Sequence, residues 1–267
     1  MSHPAISCVV NTYNHADLLP RALQSVYNEI DADAPPFEVI VVDDASTDDT
    51  SKVLRQWAEF FDERAITFIP LRMGENSGYQ CVPKNMGIEM SRGDYIRFLD
   101  DDNEWTRGSL RVLYNAIREG DVWPDAVYGR REYVRDEGAP ETAPNGAPLY
   151  VGESPLIEHD PRILALGPML NYIDTGDMLI SRGAFWWAHE WTGMMWNTNR
   201  RRFGDWELVT RMSMLNELEH VAPVKFRAVD AIVQRYHWTG SNLQLTRPLV
   251  ETPSPVEIRK LEADAKK

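Results

Sequence analysis

Val39-Ile40-Val41-Val42 is an unbroken run of β-branched residues, and Asp43 and Asp44 follow it directly. β-Branched side chains are stiff and suit the extended backbone of a strand. No polar residue alternates with them, so neither face of this strand can look into water. That is the pattern of a strand covered on both sides, inside a mostly parallel sheet with helices on each face. Carboxylates at the exit of such a strand lie where sheets of this kind bind their ligands.

The alternation extends on both sides of this run. Ile6-Ser7-Cys8-Val9-Val10 predicts a first strand, and residues 17–28 carry Leu18, Leu19, Ala22, Leu23 and Val26 at helical spacing. Residues 50–61 predict a helix capped by Ser46 or Thr47. Ile66-Thr67-Phe68-Ile69 predicts a third strand, and Tyr95-Ile96-Arg97-Phe98-Leu99 a fourth. Between them, residues 83–91 predict a short helix with Pro83 early, where a missing N–H does no harm. The fold class expected is α/β, a mixed but mostly parallel sheet flanked by helices. Residues 136–148, rich in Gly, Pro, Ala and Glu, read as a loop. From about Pro161 the chain turns more helical. Trp186, Trp187, Trp191, Trp196 and Trp206 are core packing on one reading and a platform for a sugar or base on another.

Composition narrows the function. The chain has 267 residues, 28 Lys+Arg and 41 Asp+Glu, a formal net charge of −13. That balance argues against a nucleic-acid binder working by charge alone. Arg200-Arg201-Arg202 is a local basic run that reads as a solvated face. Cys8 and Cys81 cannot build a disulfide framework or a zinc site unaided and read as small buried hydrophobes. No apolar run reaches the ~18 residues of a membrane span, and residues 1–10 lack the layout of a secretory signal. The expectation is a soluble cytoplasmic protein.

Three acidic clusters hold the chemistry. Asp43-Asp44-Ala45-Ser46 follows the second strand; helix capping accounts for one acid and the serine, but less readily for the second carboxylate. Asp100-Asp101-Asp102-Asn103 follows the fourth. Adjacent carboxylates repel, and a hard divalent cation is their natural partner, the alternative being an exposed acidic loop. Gly204-Asp205-Trp206-Glu207 opens a predicted helix, where Asp205 is a cap or a general base. Glu207 is the fallback for the base.

Read in order, these features resemble family 2 glycosyltransferases of the GT-A fold. Val9-Val10-Asn11-Thr12-Tyr13-Asn14 is similar to that family's first strand and nucleotide loop, and residues 39–48 to its second strand and acidic pair. Asn76-Ser77-Gly78, Lys84-Asn85-Met86-Gly87-Ile88 and residues 93–102 resemble its middle signature in order and spacing. Asp205 matches its late acidic motif, although Gly204 stands where the family often has Glu, and residues 236–241 resemble its C-terminal His motif. The likeness covers roughly residues 5–242.

The resemblance implies a nucleotide-sugar-binding half at 1–125, an acceptor half of the same domain at 126–245 and a tail at 246–267. It implies that Thr12, Tyr13 and Asn14 line the base pocket, with Tyr13 stacking on uracil, and that Asp44 and Asn76 hold the base or ribose. Asp100 and Asp101 would hold the ribose and donor sugar. Asp102, with His237 as a further ligand, would bind the Mn2+ or Mg2+ that bridges the donor phosphates. Lys84 or Arg97 would assist those phosphates, a plain surface charge being the other reading of each. Asp205 would deprotonate the acceptor hydroxyl in an inverting transfer. The donor expected is a UDP-sugar. The acceptor is a glycan, a lipid-linked glycan, a protein or a modified nucleic-acid base, and a homo-oligomer is left open. The rival from another class is a silent nucleotide-sugar binder or scaffold. A nicotinamide dehydrogenase and a P-loop nucleotidase each need a glycine-rich turn after the first strand, and Asn11-Thr12-Tyr13-Asn14 has none. A processive synthase is disfavoured by the missing membrane span and missing Gln-x-x-Arg-Trp.

Overall fold

The computed structural model describes residues 3–142, 146, 148–165, 172–199, 204–215 and 224–239. Arg200-Arg201-Arg202, Gly240-Ser241 and the tail 246–267 lie outside the described residues. The strands β1 (Ile6–Thr12), β2 (Phe37–Asp43), β3 (Phe68–Arg72) and β4 (Tyr95–Asp100) run parallel in the order β3-β2-β1-β4. The helices α1 (Leu19–Tyr27), α2 (Thr50–Glu63) and α3 (Cys81–Met90) connect them. Downstream come β5 (Glu104–Trp105), α4 (Ser109–Ile117), β6 (Ala126–Arg135), β7 (Gly152–Glu153) and α5 (Pro161–Ala165). A 3-10 turn (Thr175–Asp177), β8 (Met178–Ser181), α6 (Arg182–Thr192), α7 (Gly204–Leu215) and β9 (Phe226–Trp238) follow. β8 joins β4 antiparallel, β6 joins β8 antiparallel, β9 joins β6 parallel, and β5 closes the far edge against β9. Among the described residues no helix is long and apolar enough to cross a membrane.

The period-2 alternation of a strand sends side chains to two dry layers. Ile6, Cys8, Val10, Val39 and Val41 pack under α1, α2 and α4 with Leu23, Phe61 and Leu110. Val9, Ile40 and Val42 face the other way, toward Ile88, Phe98, Phe185, Trp196 and Val209. Full burial of such a side chain contributes roughly 1.5–3 kcal/mol, so this pair of layers fixes the sheet. β1 and β4 then meet at close quarters: a Cβ on Gly93 would lie 2.5 Å from the Ser7 nitrogen, and the Gly93 N–H donates to Ser7 Oγ at 2.8 Å.

Three expectations are corrected. β3 starts two residues later than the apolar run suggests, and it tolerates Pro70 because it is an edge strand. Neither Ser46 nor Thr47 caps α2. Asp48 accepts from the Thr50 N–H at 3.0 Å, while Ser46 Oγ accepts from the Asn14 N–H at 2.9 Å. Arg97 is neither a surface charge nor free for a phosphate. It is fully buried, stacks on Trp105 at 4.1 Å, and donates to Ser109 Oγ at 2.6 Å and the Val233 carbonyl at 2.7 Å. Burial lowers its pKa to about 10, and Glu29 opposes that shift, so it stays charged at neutral pH. The tryptophans divide: Trp196 is core, while Trp186 and Trp191 are about half exposed.

Candidate active site

Register sets the level of the site. Asn11 pairs with Asp100 and Thr12 with Asp43, so the acids after β2 and β4 and the loop after β1 reach one height at the carboxyl edge of the sheet. Thr12 is buried, and its Oγ1, like Asn11 Oδ1, has no hydrogen-bond partner among the described residues. Buried polar atoms of this kind are costly unless a ligand or water meets them. Beyond them Tyr13 is 41% exposed.

The loops at this edge are laced together by the predicted residues. Asn14 takes a left-handed backbone (φ 52°), which asparagine tolerates. Its Oδ1 accepts from the Thr47 N–H at 2.7 Å, joining the loops after β1 and β2. Asp44 accepts from the Ser77 N–H at 2.9 Å, Ser77 Oγ at 2.8 Å and Asn76 Nδ2 at 3.1 Å, so it pins the 76–77 segment.

Each acid after β4 has a different surrounding. Asp100 lies 3.0 Å from Lys84 Nζ. Burial raises its pKa, Lys84 lowers it, and Asp174 adds repulsion. Lys84 is itself fully buried, donating to Gln80 Oε1 at 2.6 Å with its ammonium 5.0 Å over the Trp196 ring, so its surface-charge reading fails. Asp101 accepts from the Tyr13 N–H at 3.2 Å and pairs with His15 Nδ1 at 2.9 Å. That hydrogen bond pushes the His15 pKa up to about 9 against the effect of burial. Asp102 is buried, and its carbonyl accepts from Arg21 at 2.6 Å. His237, from β9, is also buried. Its Nδ1 is 2.6 Å from Asp136 Oδ1, its Nε2 is 3.4 Å from Glu104, and its N–H donates to Asn103 Oδ1 at 2.9 Å.

Asp205 stands in the first turn of α7. Burial pushes its pKa up to about 6, the charge of Asp174 adds to the rise, and Lys84 and Arg131 oppose it. Glu207 is tied to Arg211 at 2.8 Å, and Arg211 also holds the Met195 carbonyl, so Glu207 braces α7 against the 194–195 segment.

Sequence reasoning missed Asp174, Arg131, His15, Arg21 and Asp136. Asp174 accepts from Gln234 Nε2 at 3.1 Å and lies 3.7 Å from Arg131, which grips Asp177 at 2.6 Å. A signal for it existed. Asp174-Thr175-Gly176-Asp177 precedes the apolar run Met178-Leu179-Ile180, and because β8 is antiparallel to β4, residues before β8 share the edge reached by residues after β4.

A divalent cation suits this edge electrostatically: the charge of Asp174 adds to the rise in pKa of both Asp100 and Asp205, and a nearby cation would offset that repulsion. Among the described residues no group of three or more His, Cys, Asp or Glu could hold a metal ion alone. The set fits an ion that completes its coordination with substrate phosphates, as Mg2+ commonly does.

Comparison with known proteins identifies the family and the fold. A family model described as glycosyl transferase family 2 matches residues 7–206. The chain is 28% identical over 245 residues to the putative colanic acid biosynthesis glycosyl transferase WcaA of Escherichia coli, covering 92% of this chain and 76% of that one. It is 35% identical over 120 residues to the GalNAc(5)-diNAcBac-PP-undecaprenol beta-1,3-glucosyltransferase of Campylobacter jejuni, covering 44% of this chain but only 36% of that one. S. aureus TarS 1-349 in complex with UDP-GlcNAc shares the fold, with a TM-score of 0.60 at 16% identity over 90% of this chain and 60% of that one. The mannosyltransferase PcManGT from Pyrobaculum calidifontis, in complex with GDP-Man and Mn2+, gives 0.56 at 19% identity over 88% and 57%.

Proposed function

We propose, because this chain belongs to glycosyl transferase family 2, that it moves a sugar from a nucleoside diphosphate donor to an acceptor hydroxyl with inversion. The observation that carries this reading is the common level of Thr12, Asp43 and Asp100 at the sheet edge, where the Asp44 N–H donates to the Thr12 carbonyl at 2.9 Å, with Asp205 feeling the charges of Asp174 and Lys84. The exposed ring of Tyr13 stacks on the base, with Asn14 holding its loop. Asp44 and Asn76 set the ribose side, and Asp100 and Asp101 the donor sugar. A UDP-sugar is the donor, supported by the complex of TarS. A divalent cation held by Asp102, with His237 as second ligand once its Nε2 leaves Glu104, would neutralise the diphosphate as it departs. The complex of the mannosyltransferase with GDP-Man and Mn2+ supports that reading.

Asp205, ionised above pH 6, takes the proton of the acceptor hydroxyl. The acceptor oxygen bonds to the anomeric carbon as the bond to the phosphate oxygen breaks, and the nucleoside diphosphate leaves with that electron pair. Lys84, 3.0 Å from Asp100, opposes the rise in that acid's pKa at the same time. The names of the relatives support a glycan hydroxyl, free or lipid-carried, as acceptor.

The test is a screen of UDP-, GDP- and dTDP-sugars with Mn2+, reading nucleoside diphosphate release and product mass. Release that stops in excess chelator and in Asp205→Asn supports the reading. A silent binder would take up donor and release nothing, even by slow hydrolysis, and undiminished transfer in excess chelator would remove the cation from it.

A further inference from the structure

We propose that Arg21 is a positioning residue that fixes the phosphate end of the donor site by holding Asp102 and His237 in one arrangement. The inference rests on the donor-site reading above.

Arg21 projects from α1, whose neighbouring Leu19, Ala22 and Leu23 are fully buried, so its base is fixed. One end of its guanidinium donates to the Asp102 carbonyl at 2.6 Å. The other donates to Asp136 Oδ2 at 2.7 Å. The second oxygen of Asp136 lies 2.6 Å from His237 Nδ1. These residues are far apart in sequence and belong to α1, the loop after β4, the end of β6 and the end of β9. One side chain therefore joins the main chain of Asp102 to the ring of His237 through a single carboxylate.

The task suits a guanidinium and not an ammonium. Two acceptors lie on two sides of the group, and a planar fork presents separate N–H donors to each, whereas the ammonium of lysine is one centre on a shorter reach. The helix end closes the circuit. The Leu18 and Leu19 N–H groups donate to the His15 carbonyl, so α1 starts from the loop that carries Tyr13 and is gripped by Asp101. A partner that orients a metal ligand without touching the ion is typically worth about 10–100-fold in metal affinity.

The experiment measures binding by calorimetry on the full chain with two probes: UDP with Mn2+, and uridine alone. Arg21→Met should weaken UDP with Mn2+ by about 10–100-fold, while uridine, which meets only the Tyr13 and Asp44 end, stays within about twofold. Arg21→Lys, which keeps the charge and the fold, should recover part of the loss. Asp136→Asn should weaken the same probe, and combining it with Arg21→Met should cost less than the sum, because both act through one link. Equal UDP–Mn2+ affinity in wild type and both Arg21 variants would overturn the proposal. So would a parallel loss of uridine, which is what a merely structural strut predicts. If the wild-type chain binds uridine but gains nothing from a diphosphate with Mn2+, the phosphate-site reading itself falls, and the proposal with it.

Discussion

Asp205→Asn separates a base from a structural carboxylate by two readouts. Transfer should fall by about 10²–10⁴-fold, the range for a lost general base, because an amide takes up no proton. In the wild type, log(kcat) should rise with pH along a unit slope and level off above the Asp205 pKa of about 6. At pH 5 about a tenth of the plateau activity should remain. Stability should move the other way. The unfolded carboxyl ionises near the ordinary aspartate value of 3.8 and the folded one near 6, so the wild type loses stability between those values as pH rises. The two units correspond to at most about 3 kcal/mol. Asn carries no such cost. It should leave the melting temperature unchanged below pH 4 and raise it above pH 6, by about 2–4 °C for each kcal/mol. Calorimetry across pH 4–8 and initial rates over the same range decide the matter. Transfer by the Asn variant within threefold of wild type would refute the assignment, whatever its stability.

Tyr13→Ala should weaken nucleotide binding by about 1–3 kcal/mol, the worth of one base stacked on an aromatic ring, and unchanged calorimetric affinity would argue against that pocket. Asp44→Asn should cost a similar 1–3 kcal/mol, with protease sensitivity rising at 76–77, which Asp44 now holds by three bonds. His15 has its pKa raised to about 9 by Asp101, so its contribution is full below pH 6.5 and disappears as pH rises through 9. Because the ring is a quarter exposed, about 1–2 kcal/mol is expected after screening. His15→Gln should therefore be less stable than wild type at pH 7 and equal to it at pH 10; a constant difference would contradict the pairing. Gly93→Ala drives a Cβ into the Ser7 backbone and should cost about 1–3 kcal/mol or more in denaturant melts.

The parallel half was legible because its signals are local. A β-branched run such as residues 39–42 satisfies the period of a doubly covered strand without knowledge of its neighbours, and β2 appears there with one or two extra residues at each end. The acids at strand exits were legible for the same reason. Pairings across long separations were not. Arg21 meets Asp136 across 115 residues, and nothing in the local pattern of α1 distinguishes that arginine from a solvated one. Ser46 was misread because a hydroxyl near a helix start suits a cap, and the left-handed Asn14 competes for it successfully. Lys84 and Arg97 looked ambiguous because charge says nothing of burial; their partners Asp100, Gly176 and Val233 come from elsewhere in the chain.

The late arrival of β9 has a consequence for how the chain is made. Synthesis delivers β1 to β4 first, and domains fold as they emerge. Arg97 sits at the centre of that early unit, yet its strongest carbonyl partner is Val233, and the Asn103 side chain waits for the N–H of His237. Until β9 slides in beside β6 and β5, Arg97 has Ser109 and the charge of Glu29 but not the Val233 carbonyl, and Asn103 has no His237 N–H to accept. A fragment released after α4 would hold Asp44, Asp100 and Asp102 but neither Asp174 nor Asp205, and it would lack the strand that meets Arg97 and Asn103.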